Sequence, residues 1–184
     1  MAELLTYTTK MPGASFSLPA VFTCQRGAQL RKDKKSVCAH CYARKGNYTW
    51  NDVKNAQRER YVLTHGSEFV ETMVEALERE ARLGRTWFRW HDAGDIYSDE
   101  YFRRILEVCR RTPQIKHRLP TKEVERIERV LAKEALPDNL CISISAYYMD
   151  QRAEHVPSYC TEAVTYTTPE PPDGAFACPA TNGA

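Results

Sequence analysis

An α/β fold with parallel strands is the expectation for this chain. Apolar, β-prone runs alternate with amphipathic helical stretches, helix caps and stops fall between them, and the strands lie far enough apart for crossover connections. About five strands suit an open or partial (β/α) barrel better than a closed eight-stranded one. The 184 residues form one domain, residues 1–184, with a sizeable core.

Leu4 to Thr9 is β-prone, and Phe16 to Thr23 is apolar but broken by Pro19. Residues 25 to 36 read as a basic loop carrying Arg26, Arg31, Lys32, Lys34 and Lys35. A helix starts near Asn51 or Asp52, either of which can cap it, and Gly66-Ser67 interrupts it. Val70, Met73, Val74, Leu77 and Ala81 then recur at helical spacing until Gly84 stops the run. Thr86 to Trp90 is a strand. Ser98 caps the next helix, with Asp99 and Glu100 where the dipole favours acids and Phe102, Ile105, Leu106 and Cys109 inward. Ile115 to Leu119 is a strand, Thr121 opens a helix with Val124, Ile127 and Leu131 inward, and Leu140 to Ala146 is a further strand. Ala163 to Thr167 is expected as the last one, and the Pro-, Gly- and Ala-rich tail from residue 169 as loop. No internal repeat is visible.

The formal net charge of +2 selects neither nucleic acid nor membrane. The apolar runs are far short of a bilayer span, and the start Met-Ala-Glu-Leu-Leu-Thr has no signal-peptide pattern. A cytoplasmic location is therefore expected. Seven cysteines in such a chain favour metal ligation or burial over disulfides. Cys109, on a helical stripe, and Cys141, in a strand, are read as core residues.

The stretch from Cys24 to Cys38-Ala-His-Cys41 carries the chemistry, as a cysteine loop over residues 24–41. A Cys-x-x-Cys pair holds two thiolates on one turn, and Cys24 can close in as a third. Three thiolates on a four-iron cluster leave one iron open to a small molecule. The alternative is zinc, which wants four closed tetrahedral ligands. Cys160 or Cys178 would supply the fourth, and spacing alone leaves zinc and iron–sulfur open.

In parallel α/β folds, ligands gather at the C-terminal strand ends. Those ends hold His91-Asp92-Ala93-Gly94-Asp95, then Pro120-Thr121-Lys122, then Ser143 and Ser145 on one strand face. Each has a plainer reading. Gly94 permits a turn, Asp92 and Asp95 bond loop backbone, His91 is structural, the serines satisfy neighbours, and Tyr147-Tyr148 packs. The basic run 31–35 is most simply a solvated face, or else it steers an anionic substrate such as nucleic acid.

The run Cys38-Ala-His-Cys41-Tyr42-Ala43 has an upstream cysteine. Behind it come a long helix, a strand ending in His-Asp-Ala-Gly-Asp and a strand ending in Pro-Thr-Lys. Together these resemble the phage "gene product 88" domain family, which is itself similar to radical S-adenosylmethionine (radical SAM) enzymes. The resemblance extends from about Thr6 to Cys178. It implies a radical-SAM-like partial barrel in which Cys24, Cys38 and Cys41 hold a [4Fe–4S] cluster. It also implies that Gly94 and Asp95 receive the methionine amino group of S-adenosylmethionine, that Ser143 and Ser145 meet its ribose, and that Tyr42 lies beside the cluster or the adenine. Lys122 joins this cofactor set from its strand end. The chain departs from the usual radical pattern in the long interval between Cys24 and Cys38 and in lacking Gly-Gly-Glu-Pro.

The expected function is therefore a radical-SAM-type enzyme that generates a 5′-deoxyadenosyl radical on an unknown small-molecule or nucleotide substrate. It would need an electron donor and, if phage-encoded, would work in the host cytoplasm. The rival is a non-catalytic binding protein with a closed four-cysteine iron–sulfur or zinc site, contacting nucleic acid or a protein partner.

Overall fold

The computed structural model describes residues 3–8, 11–168 and 174–177. Its centre is a six-stranded sheet in the order β1-β2-β3-β4-β5-β6. The strands are β1 (Thr6–Tyr7), β2 (Ala14–Phe16), β3 (Trp87–Trp90), β4 (Lys116–Thr121), β5 (Leu140–Ser145) and β6 (Thr161–Ala163). β1 pairs antiparallel with β2, and every later neighbour is parallel. The sheet stays open, with β1 and β6 at its edges.

Because sequential strands are spatial neighbours, the order never reverses. Crossovers of one hand then keep their helices on one face of the sheet. That face carries Phe16, Phe88, Trp90, Leu119, Ile142 and Ile144. They share a core with Phe69, Met73 and Leu77 of α4 (Phe69–Arg82), Phe102, Ile105 and Leu106 of α5 (Asp99–Arg111), and Ile127 and Val130 of α6 (Val124–Leu131). The opposite face carries Ser15, Trp87, Arg89, Lys116, Arg118, Cys141 and Ser143. Side-chain alternation along each strand makes this division.

Several elements depart from the sequence expectation. Residues Phe16 to Thr23 divide into the end of β2 and a short helix, α1 (Ala20–Thr23), because Pro19 stops the strand and occupies the N-cap. Residues 25–30, expected as loop, form α2 (Gln25–Leu30), whose glycine and basic residues hide any apolar period. Helix α3 (Asn51–Leu63) has Trp50 at its N-cap with no side-chain cap, so neither Asn51 nor Asp52 plays that part. β4 runs through Pro120 instead of ending before it. The ladder bond that proline cannot make falls one residue from the strand end. Helix α6 follows Glu123, not Thr121. The last strand lies at Thr161–Ala163, two residues earlier than read. Cys141 is exposed, not core, because it faces the polar side of the sheet. Most of the tail from residue 169 lies outside the described residues. No helix among the described residues is long and apolar enough to cross a membrane.

Ser98 caps α5 as expected, accepting from the Tyr101 amide at 3.0 Å. Its Asp99 accepts from Arg126 and Arg129 of α6, which hold its carboxyl down to about 2.

Two core histidines set the pH response. Burial pushes His91 down to about 3 and His117 to about 4. Each ring stays neutral in the fold while its unfolded counterpart protonates near pH 6.5. The unfolded state therefore binds more protons below that pH, and stability falls as pH drops toward 4. Asp95, raised by burial to about 6, opposes this, because its protonation relieves the fold. Asp92, also raised by burial, acts in the same direction as Asp95, and the two larger histidine shifts outweigh them. Urea unfolding is expected to show a loss on the order of 3 kcal/mol between pH 7 and pH 4.5. Stability that stays flat or rises over that interval would contradict the assignment.

Candidate functional site

The chain between β2 and α3 lies over the C-terminal ends of the parallel strands. Two short helices bring Cys24 there as the shared cap of α1 and α2. A 3₁₀ turn at Val37–His40 follows, held by Ser36, whose hydroxyl accepts from the Ala39 amide and donates to the Leu30 carbonyl. This turn presents Cys38, and Cys41 opens the next turn, Tyr42–Arg44. The Val37 amide donates to the Tyr147 carbonyl at 2.9 Å, and Ser36 bridges Tyr148, so the cysteine segment is docked on the loop that leaves β5.

All six described cysteines are free thiols. Cys24, Cys38 and Cys41 lie within one another's electrostatic field, together with Asp95 and Lys122. Burial pushes the Cys24 and Cys38 thiols up, neighbouring thiols and Asp95 add to the rise, and the Lys122 ammonium opposes it. Gly27 in α2 makes room for the group: a Cβ there would stand 3.1 Å from Cys24 Cβ and 3.5 Å from Cys38 Sγ. Among the described residues, no three His, Cys, Asp or Glu side chains are gathered closely enough to hold a metal ion. A tetrahedral zinc site would bring its thiolates to about 3.8 Å of one another. The donor type, three thiols and no imidazole, is one that both zinc and iron–sulfur clusters accept.

Gly94 and Asp95 join the strand ends to each other. Asp95 is buried. Its Oδ1 accepts from Thr121 Oγ1 at 2.6 Å and the Ile96 amide at 2.8 Å, and its Oδ2 accepts from the Lys122 amide at 3.0 Å. Its own amide donates to Thr23 Oγ1 at 3.2 Å. One carboxylate thus ties the loop after β3 to the end of β4, and its amide ties that loop to the residue before Cys24. Gly94 has φ +92° and packs directly against Leu18 and Thr23. A Cβ added at Gly94 would stand within 3.0 Å of both residues. The two residues bond or pack directly against Lys122, Leu18 and Thr23, and Thr23 adjoins Cys24 in the chain.

The remaining expected residues are placed as follows. Tyr42 is 57% exposed, but its hydroxyl turns inward to donate to the Asp92 carbonyl. Ser143 is bonded to Thr161 Oγ1 at 2.7 Å, across to β6. Ser145, half-buried at the end of β5, has no hydroxyl partner among the described residues. Cys160 is not with the other three thiols. It precedes β6, level with Ile142, roughly 10 Å short of the rim at 3.3 Å per residue. Its neighbouring thiol is Cys141, and burial pushes it up to about 11. Cys178 lies outside the described residues. The basic residues Lys32, Lys34 and Lys35 are exposed, as a solvated run would be.

Sequence reasoning missed Thr23, Tyr48 and Arg89. Tyr48 donates to Asp92 Oδ2 at 3.0 Å, and its ring packs 5.7 Å from that of Tyr42. Both tyrosines sit on irregular 3₁₀ turns with no periodicity to reveal them. Thr23 lay inside an apolar run, and Arg89 inside an aromatic strand.

Fold and site together define an open parallel α/β protein with three free cysteines on the loops above its strand ends. The chain belongs to the gene product 88 family, whose model matches residues 2–183. No curated protein and no solved structure matches it.

Proposed function

We propose that this protein is an iron–sulfur enzyme of radical S-adenosylmethionine type, with Cys24, Cys38 and Cys41 as the cluster ligands. The observation that carries the reading is the convergence of three free thiols, Lys122 and the Asp95 knot over one end of an open parallel sheet. Those three cysteines would hold the cluster, and the chemistry it would supply when bound is one-electron reduction of the sulfonium of S-adenosylmethionine to methionine and a 5′-deoxyadenosyl radical. The chain's own part is to hold and shield. Asp95 locks the loop after β3 to β4, Lys122 favours the thiolate forms, Tyr42 covers the rim, and Ser145 offers a free hydroxyl at a strand end. Substrate and electron donor are left open by this geometry.

The test is anaerobic purification followed by iron, sulfide and zinc analysis, then electron paramagnetic resonance of the reduced protein with and without S-adenosylmethionine. Iron with sulfide and a spectrum altered by S-adenosylmethionine supports the proposal. A cluster whose spectrum does not respond favours the closed, non-catalytic site. Serine at both Cys160 and Cys178 then reports closure: iron retained in that variant points back to an open site. Zinc without sulfide would sink the iron–sulfur reading.

A further inference from the structure

The helix-free face of the sheet is basic, and nothing in the proposed cluster chemistry uses its middle. Arg89 and Arg118 are register partners on β3 and β4, so their side chains leave the same face from strands about 4.8 Å apart. Like charges directly opposite on one face destabilise a sheet. No strand residue of this face is acidic, and no described carboxylate forms an ion pair with either arginine or with Lys116. Among the described residues, Arg89 Nε is buried without a hydrogen-bond partner, and Arg89 Nη1 meets only the weak acceptor Met11 Sδ, at 3.7 Å. Arg89 lies in the field of the Asp92 carboxylate, but Arg118 and Lys116 have no ion pair with a described carboxylate, and a conflict left uncompensated there points to a ligand that resolves it.

Two further groups define that ligand. Lys116, two residues before Arg118, places a third cation about 7 Å along the same strand. This separation is comparable with that of successive phosphates in an extended strand. Beside it Trp87 is 52% exposed, with Lys116 Nζ 5.0 Å from the ring centroid. Cations spaced for more than one phosphate, next to an exposed indole, match the charged track and stacking platform that bind unpaired nucleotides. A nucleoside monophosphate carries one phosphate for three cations, the bridged phosphates of a triphosphate lie closer together than the cations do, and a duplex hides its base faces from the indole.

We infer that the open sheet face binds single-stranded nucleic acid, with Lys116, Arg118 and Arg89 on phosphates and Trp87 against a base. The site differs from the basic run at 31–35 and does not depend on the cluster.

The test is fluorescence anisotropy with a labelled 12-nucleotide oligothymidylate at several salt concentrations, on protein prepared with and without iron. Lys116→Ala and Arg118→Ala should each flatten the log-affinity against log-salt slope by about 0.7. Trp87→Ala should weaken binding on the order of tenfold. Arg118→Lys should restore the slope, and Lys32, Lys34 and Lys35 changed together to alanine should leave binding unchanged. All these side chains are exposed, so circular dichroism should match the parent. Binding unaffected by the sheet substitutions, or abolished by the loop substitutions, overturns the inference. So does equal competition by thymidine monophosphate or by a duplex, or the absence of binding. Because the iron-free protein is included, failure here leaves the cluster proposal standing, and loss of the cluster leaves this one standing.

Discussion

Alanine at Cys24, Cys38 or Cys41 is expected to remove most of the iron bound after anaerobic reconstitution, from roughly four per chain, the complement of one cluster, to a small residue. The three thiols lie in one another's field over the strand ends, so in the proposed cluster each loss would leave an iron without its protein ligand. The interval from Cys24 to Cys38 is no obstacle, since closing a longer loop costs only slightly more. Here much of it is already ordered as α2 and the turn capped by Ser36. Cys109→Ala and Cys141→Ser are the controls. Cys109 is buried among α5 core residues, and Cys141 stands on the exposed sheet face near Cys160. Colorimetric iron and sulfide assays decide the matter: full retention in Cys24→Ala would remove the three-cysteine assignment.

The fold was legible where periodicity and caps are strong. The Ser98 cap, the α4 and α5 stripes, and the Ser143/Ser145 against Ile142/Ile144 alternation all follow from local spacing. Less legible was the stretch from Pro19 to Trp50. Its short helices and 3₁₀ turns are stabilised by docking on Tyr147, Ala93 and Asp95, not by any apolar period of their own. The cysteines were visible because thiol spacing is a chemical signal that survives irregular backbone. The polar sheet face was not, because its meaning depends on all crossovers falling on one side. Arg89 and Arg118 are far apart in sequence and become neighbours only through strand order. Asp95 lies at a strand end as read, but its three hydrogen bonds to Ile96, Thr121 and Lys122 depend on strand order and were not legible in the sequence.

Gly94→Ala is expected to destabilise the protein by about 2–6 kcal/mol and to weaken iron retention with it. Two costs combine. The backbone at φ +92° lies beyond the left-handed region that an alanine tolerates, a strain of about 1–3 kcal/mol. The new methyl would also stand 2.7 Å from Leu18 Cβ, 2.8 Å from Thr23 Oγ1 and 3.0 Å from the Leu18 carbonyl oxygen, in a packed interior that relieves overpacking only by moving, at about 1–3 kcal/mol. Gly84→Ala separates the two. It has φ +76° with no atom within 4 Å of the added carbon, so it carries the backbone strain alone. The atoms that must move at Gly94 include Thr23 Oγ1, the acceptor of the Asp95 amide, and Thr23 adjoins Cys24. Displacement there propagates to the thiol through one peptide unit, whereas Gly84 touches nothing in the site. Urea unfolding of both variants, alongside iron content after reconstitution, tests the coupling. A Gly94→Ala protein as stable and as iron-replete as Gly84→Ala would show that the close packing of the β3 loop on Leu18 and Thr23 does not hold Cys24 in place.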